Sequence, residues 1–439
     1  MDGVITGAAI LGCMLVLVAL RAPATVAMLL PGTVAFIAMT SEATLIETLQ
    51  SSLRTRMATP ELWAFPLVLL MGQFALQGGL AQSLFQAAAA FMGHRRGGLS
   101  MGSLLASSSF GPMCGSSDAA TATITQVAYP ELKQRSTLGI RAAGLLAPAG
   151  SLGLLLPLSV PLMAYAMLTG QALAPLFVAA VIPGVLAVMA ALLSIPLQQH
   201  GEPTADTPPA AWGTRWRALA AVLPTLVVLT LVLTSIGLGQ VTPTQGAAWG
   251  ALGTLLAAAL QGSLSGQAFV RALLSTLTMC AMVLMVFLAA DVLHAALALT
   301  ELPNTLSRLL LELPLPAWLC LGLMLIAILA LSSMLDELSL LLVTLPLVLP
   351  VVMALDLWGL TPREKTLWFG VVMLATLQIG LLLPPIGRNL HVVRSICRGV
   401  PMRELYRGAM PFLATGVLRL GLLLGFPSLS LALVRWCCV

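Results

Sequence analysis

Roughly ten stretches of about twenty mostly apolar residues run through this sequence, separated by short polar or basic breaks, and each is long enough to cross the hydrocarbon core of a bilayer. With 59% apolar and only 8% charged residues in 439, no soluble fold of this length could present enough polar surface to water. The bilayer is therefore the expected solvent. The expected class is an all-α polytopic membrane protein, one membrane domain over residues 1–439. The first stretch, Val4 to Leu20, follows Asp2 with no basic residue before it, which is the wrong flank for a cleaved secretory signal and reads as a retained helix.

The seven cysteines lie in or beside apolar segments, with no CxxC pair and no histidine cluster, so neither a metal nor a redox role is expected. No catalytic constellation is present and no enzymatic activity is expected. The net charge of +5 is dispersed between the spans, which fits membrane topology better than nucleic-acid binding.

Basic residues mark cytoplasmic loops. A threading with the N-terminus outside takes Val4–Leu20 in, Ala22–Thr40 out to the acidic Glu42 and Glu47, and Pro60–Leu80 in to the basic run at 93–98. Residues 99–130 are flanked by Arg95 and Arg96 on one side and by Lys133, Arg135 and Arg141 on the other, so both ends look cytoplasmic. With a Gly/Ser-rich centre at 111–117, this stretch reads as a re-entrant hairpin. Leu138–Leu168 then crosses outward and Pro175–Leu197 inward, closing a first half at 197, and a polar linker covers 198–217. The second half, 218–439, has crossings at Leu219–Leu238, Thr244–Leu260 and Ala272–Leu299, a second hairpin at about 317–356 entered from outside, and crossings at Leu367–Ile396 and Pro411–Val434. Thirteen Lys and Arg fall inside and six outside, Arg388 and Arg419 lying within spans, and this bias supports the orientation.

Gly153-Leu154-Leu155-Leu156-Pro157 follows the first hairpin and Gly380-Leu381-Leu382-Leu383-Pro384 the second. Two copies, each inside an apolar span and each after a hairpin entered from the opposite face, form the pattern of an inverted-topology repeat with two broken helices meeting near the midplane. Glycine and proline free backbone groups there that hydrocarbon cannot satisfy. Cations suit the carbonyls, and an anion suits the helix N-termini.

From about Pro60 to Phe412 the residues resemble the large membrane subunit of tripartite ATP-independent periplasmic (TRAP) transporters. The resemblance rests on ordered motifs: Gly-His-Arg-Arg-Gly-Gly-Leu (93–99), Phe-Gly-Pro-Met-Cys-Gly-Ser-Ser (110–117), Tyr-Pro-Glu-Leu (129–132), Ala-Gly-Ser-Leu-Gly-Leu-Leu-Leu-Pro-Leu-Ser (149–159), Ile-Pro-Gly (182–184), Thr-Pro-Thr (242–244), Met-Leu-Asp (334–336), Trp-Phe-Gly (368–370) and Gln-Ile-Gly-Leu-Leu-Leu-Pro-Pro-Ile-Gly (378–387). It implies a sodium-driven elevator in a bacterial inner membrane that imports organic acids, dicarboxylates among them, delivered by a periplasmic substrate-binding protein. It also implies a small four-helix membrane subunit as a separate partner. Beyond sodium as the coupling ion, no cofactor is implied. The residues leave two alternatives open, a binding-protein-independent anion transporter or exchanger of the same superfamily and a non-transporting scaffold or channel.

Against the family pattern, Cys114-Gly115-Ser116 stands for Ser-Gly-Ser, Pro157-Leu158-Ser159 for Pro-Pro-Ser, Leu383-Pro384-Pro385 for Thr-Pro-Pro, and Gln73 for an asparagine. Losing the threonine hydroxyl weakens a second cation site more than a first. The expected first sodium site uses oxygens of Cys114, Ser116, Ser117, Gly153 and Leu156, because hard cations prefer oxygen ligands. The second uses Gly380, Leu383 and Gly387 with the second hairpin. Substrate contacts are assigned to Ser116, Ser117, Arg388 and Asn389.

Charged residues inside apolar segments signal function or pairing, since each costs about 2.5 to 3.5 kcal/mol at a helix centre. Asp118 is expected to cap the second helix of the first hairpin or to take part in coupling, Asp336 to support the second hairpin or an ion site, and Asp291 to pair with a neighbouring helix. Arg388 could hold a substrate carboxylate through two parallel hydrogen bonds, pair with Asp336 or Glu337, or reach the interface by its stem. Arg419 is expected to snorkel or to meet a partner subunit.

Overall fold

A computed structural model describes residues 2–95, 97–135, 139–198, 210–262, 264–312, 314–384 and 386–437, and these form helices with no strand among them. The first helices are α1 (Asp2–Ala19), α2 (Ala24–Met39), α3 (Glu42–Ala58), α4 (Ala64–Gln77) and α5 (Leu80–Met92). A helical hairpin follows, α6 (Gly98–Phe110) and α7 (Ser117–Arg135) joined by a 3-10 turn at Gly111–Cys114. Next comes an interrupted helix. A 3-10 turn (Gly139–Leu145), α8 (Leu146–Ser151) and a second 3-10 turn (Leu152–Leu155) run up to a break, and α9 (Val160–Thr169) resumes beyond it; α10 (Leu173–Gln198) closes this half.

The remainder repeats the order. After α11 (Trp212–Gly237), α12 (Pro243–Leu260), α13 (Gly266–Leu299) and α14 (Leu302–Glu312) comes a second hairpin, α15 (Ala317–Ser332) and α16 (Glu337–Ala354). A second interrupted helix, α17 (Pro362–Gly380) and α18 (Arg388–Ile396), leads to α19 (Met402–Gly425) and α20 (Ser428–Cys437). Among the described residues six stretches are long and apolar enough to cross a bilayer: Ala142–Thr169, Leu173–Pro196, Trp212–Gly237, Gly266–Leu299, Glu337–Ala354 and Met402–Gly425. At 34 residues α13 is about 51 Å long, well beyond a hydrocarbon core of about 30 Å.

Packing sorts the helices into two groups. Helices α2, α4, α11, α12 and α13 pack on one another, while the hairpins, the interrupted helices, α10, α19 and α20 form a second group. The second group meets the first where α13 packs on α16, where α4 packs on the Gly111–Cys114 turn, where α10 packs on α11 and through α5, which lies between α11 and α6. Small residues allow the closest crossings: a Cβ on Gly32 of α2 would lie 3.0 Å from Leu293 Cα of α13, and one on Gly78 would lie 2.7 Å from Ala258 Cβ. In a membrane, where lipid is as apolar as leucine, such close approach is a main source of helix association.

Several segments depart from the sequence reading. Residues 42–58 were expected as a polar outer segment and form α3, whose start is capped by Ser41, the Thr44 amide donating to its Oγ at 3.2 Å. Pro60–Leu80 ends where expected, the Pro60–Trp63 3-10 turn running into α4, which stops at Gly78-Gly79, where Gly79 takes a left-handed φ of 79°; α5, which the sequence reading did not mark, begins after it. Pro411–Val434 is divided, because α19 ends before Pro427 and α20 starts beyond it. Of the linker at 198–217, residues 199–209 lie outside the described residues, and α11 already begins at Trp212.

Asp291 pairs with a neighbouring helix, as expected, and the partner is Arg56 of α3. Arg56 Nε donates to Asp291 Oδ2 at 2.6 Å, Nη2 donates to Oδ1, and the guanidinium lies 4.6 Å from the Phe287 ring centroid. Both side chains are over four-fifths buried, so the pair clamps the otherwise polar α3 onto α13. Arg56→Met strands the Asp291 carboxylate and is expected to cost about 3 kcal/mol. In detergent thermal unfolding this single variant should melt well below wild type, and Arg56→Met with Asp291→Asn should recover part of the loss. Equal melting of the single and double variants would show that the pair is not coupled.

Candidate functional site

Both hairpin turns and both helix breaks are built by local sequence chemistry. In the first hairpin Gly115 adopts φ 80°, and the Ala119 amide donates to Ser116 Oγ at 3.1 Å, so Ser116 caps α7. Asp118 does not, correcting the capping expectation: its carboxylate is drawn away by an arginine from the other half of the chain. In the second hairpin Asp336 is the cap of α16, accepting the Ser339 amide at 3.0 Å.

The two Gly-Leu-Leu-Leu-Pro copies end their helices in the same way. Leu156 N–H donates to Gly153 O at 3.3 Å, and Leu383 N–H donates to Gly380 O at 3.1 Å. The next carbonyl in each copy is reached from beyond the break, Leu154 O by Ser159 Oγ at 2.8 Å and Leu381 O by Asn389 N–H at 3.4 Å. Each helix restarts after a left-handed residue, Leu158 (φ 72°) and Gly387 (φ 57°). Leucine in that region is a steric outlier, and proline, with φ locked near −65°, could not occupy it.

Close packing seats each hairpin on its own broken helix. A Cβ on Gly153 would lie 2.5 Å from the carbonyl carbon of Gly111, and one on Gly380 would lie 2.4 Å from Ser332 Cβ. The halves also exchange contacts, α7 packing against α18 and α16 against α9.

Between them lies a cavity of about 300 Å³. Its wall carries first-turn or capping residues of four helices: Ser116 and Asp118 of α7, Pro161 of α9, Asp336 and Glu337 of α16, and Arg388 of α18. Pro23 to Thr25 before and within α2, and Met282, Val283 and Val286 of α13, close the opposite side. Arg388 Nη2 donates to Asp118 Oδ2 at 2.5 Å, and its Nη1 lies 3.9 Å from Asp336 Oδ1. Of the pairings expected for Arg388, the Asp336 contact is present but secondary. Its main partner, Asp118, was not among the candidates. Glu337, 4% exposed, accepts the Ser117 amide at 2.9 Å, tying the tip of one hairpin to the other.

The assigned substrate residues therefore separate. Ser116 and Arg388 face the cavity, whereas Ser117 and Asn389 are buried behind it, Ser117 Oγ donating to Asn389 Oδ1 at 3.4 Å and Asn389 Nδ2 donating to Ala147 O at 3.3 Å. Of the first cation set, Ser116, Ser117 and Gly153 line a second cavity of about 10 Å³ between hairpin and broken helix. Cys114 and Leu156 are not among its lining residues, while Ser159 and Leu154 are. Of the second set, Gly380 sits against Ser332, and Gly387 is packed beneath the Tyr406 hydroxyl, 2.7 Å from where a Cβ would stand. Pro161 and the α13 residues escaped the sequence reading. Glu337 was visible there only as a charge inside an apolar run and a possible partner of Arg388, not as the acceptor of the Ser117 amide.

Arg419 does not snorkel. It is 6% exposed and donates from Nη2 to Gln378 Oε1 at 2.6 Å.

Paired hairpins, paired helix breaks and a charged cavity walled by helix starts define a multi-pass helical membrane protein built around one central site. The sequence matches the Tripartite ATP-independent periplasmic transporter, DctM component, over residues 11–429, and the chain belongs to that family. It is a transporter permease, not an enzyme. It is 28% identical over 377 residues to the C4-dicarboxylate TRAP transporter large permease protein DctM of Pseudomonas aeruginosa, covering 85% of this chain and 86% of the relative. Similarity to the sialic acid TRAP transporter large permease protein SiaM of Vibrio cholerae is 28% over 376 residues, with 85% and 86% covered. For the 2,3-diketo-L-gulonate TRAP transporter large permease protein YiaN of Escherichia coli it is 24% over 385 residues, with 85% and 87% covered. Among solved structures, the YdaH transporter of Alcanivorax borkumensis shares the fold, with a TM-score of 0.60 at 16% identity and coverage of 91% of this chain and 89% of that one.

Proposed function

We propose that this chain is the permease through which an organic acid crosses the bacterial inner membrane, driven by sodium. The acid would be handed over by a periplasmic binding protein, with a small membrane subunit bound alongside. The observation that carries this reading is the wall of the 300 Å³ cavity, where the positive ends of four helices and one guanidinium face a space of substrate size. Names of relatives agree, since a C4-dicarboxylate, sialic acid and 2,3-diketo-L-gulonate are all organic acids.

The charge count supports cation coupling. Three carboxylates, Asp118, Asp336 and Glu337, share the cavity with Arg388 as the one cation among its described lining residues, so a substrate carboxylate entering it would be accompanied by cations that offset the repulsion. Oxygens of Ser116, Ser117 and Gly153 around the 10 Å³ cavity suit one sodium ion. Carbonyls at Gly380 and Leu383 are the corresponding donors for a second.

The test is uptake into proteoliposomes holding the permease with its small subunit, supplied with binding protein and radiolabelled C4-dicarboxylates, sialic acid or sugar acids. An inward sodium gradient should drive accumulation, and replacing sodium by choline at fixed pH should abolish it. Accumulation undiminished in choline would refute sodium coupling, and no uptake of any acid would refute the substrate class.

The matching bonds at the two breaks and the exchanged α7–α18 and α16–α9 packing support an inverted repeat working as an elevator. Cysteines introduced at Arg95 and Lys133, which flank the first hairpin, should then both react with a membrane-impermeant thiol reagent from the cytoplasm. Reaction from opposite faces would mean that 98–135 crosses the membrane and would rule out the inverted repeat.

A further inference from the structure

A second charged centre lies away from the central cavity, on the side of α19. Arg419 is almost wholly buried, its Nη2 engages Gln378, and its Nε has no partner among the described residues. Among those residues no carboxylate pairs with it. Beside it is a small cavity of about 20 Å³, lined by Ser151 of α8, Ala187 and Ala191 of α10, Gln378 of α17 and Gly416 of α19, with no acidic side chain. The two broken helices and α19 therefore meet around one uncompensated guanidinium.

A guanidinium offers five N–H donors and a full positive charge. The Gln378 amide satisfies one donor and supplies only a dipole. A water molecule in the cavity would satisfy another and still leave the charge unpaired in a low-dielectric interior, where an isolated charge is the costliest group to bury. The cavity exceeds the space one water needs but is too small for a carboxylate substrate or a phosphate group. Its alanine walls suit an ion that gives up hydration readily.

We infer that Arg419 and Gln378 hold a small monoanion, chloride in a chloride-containing medium, at the junction of α8, α17 and α19. The ion bridges the two halves by completing the electrostatics of Arg419, and it is separate from the organic acid and its coupling cations. The inference does not depend on the transported substrate.

The permease, purified with its co-expressed small subunit, would be titrated with sodium chloride against sodium gluconate at constant ionic strength while thermal unfolding is followed. Wild type should gain several degrees saturably in chloride, and Arg419→Gln should need at least tenfold more chloride or show no gain. Identical midpoints in the two salts would overturn the site. If Arg419→Gln does not fold, wild-type crystals grown in bromide decide the matter: an anomalous peak within hydrogen-bond distance of the Arg419 side chain is expected, and its absence at saturating bromide would overturn the site. In delipidated protein, stabilisation that returns with phosphatidylglycerol and ignores chloride would assign the charge to lipid and overturn the halide.

Discussion

Replacing Arg388 by lysine is expected to raise the apparent substrate constant for uptake about tenfold, a loss of about 1.4 kcal/mol, while the protein remains well expressed. Lysine keeps the charge but not the planar fork that can grip a carboxylate with two parallel bonds. The structure adds a constraint that a lone substrate-binding arginine would not have. Arg388 already spans Asp118 at 2.5 Å and Asp336 at 3.9 Å, so it holds the two hairpins together whenever it is not shared with substrate. Arg388→Gln leaves three carboxylates without their cation and should lower folded stability by about 2 kcal/mol, less than for a fully buried pair because both partners keep over a quarter of their exposure. Joint replacement with Asp118→Asn should restore folded yield without restoring uptake. Yield and uptake recovering together would make Arg388 a purely structural group. Unaltered substrate affinity in the lysine variant would remove its recognition role.

Gly153→Ala should cut uptake more than tenfold and destabilise the protein by about 1–3 kcal/mol. The added methyl would stand 2.5 Å from the Gly111 carbonyl carbon and 2.8 Å from Pro112 N, and both obstacles are backbone that cannot swing aside. The hairpin tip would be pushed off the broken helix, taking Ser116 and Ser117 away from the carbonyls around the 10 Å³ cavity. Gly12→Ala is the control, since nothing lies within 4 Å of its would-be Cβ. Uptake and melting temperature measured side by side should fall for Gly153→Ala and hold for Gly12→Ala. Wild-type uptake in Gly153→Ala would mean that the hairpin and broken helix are not held in this contact during transport.

The hairpin centres and helix breaks were legible because glycine, proline and serine interrupt apolar runs at 111–117, 153–159 and 380–387, and backbone chemistry of that kind is local. Asp336 was legible as support for the second hairpin or an ion site, and its part in the hairpin is the cap of α16, which needs only the next turn of its own helix. Helices α3 and α5 were not. The first is polar around most of its surface and is held by Arg56 to a residue 235 positions away, and the second is hidden behind a Gly-Gly break in one apolar run. Asp118 was misread as a cap because its true partner, Arg388, stands 270 positions along the chain.

The sequence by itself determined the solvent, the helical class, the two interruptions and the residue types available at them. Each follows from hydropathy or from what glycine and proline do to a backbone ladder. Only the tertiary structure decided which of those residues share a cavity. It set Ser116 and Arg388 on the wall and Ser117 and Asn389 behind it, gave Glu337 the Ser117 amide, and left Arg419 buried with no carboxylate partner among the described residues. The physical reason is that charges in a low-dielectric interior answer to their nearest neighbours in space, and here those neighbours come from opposite halves of the chain.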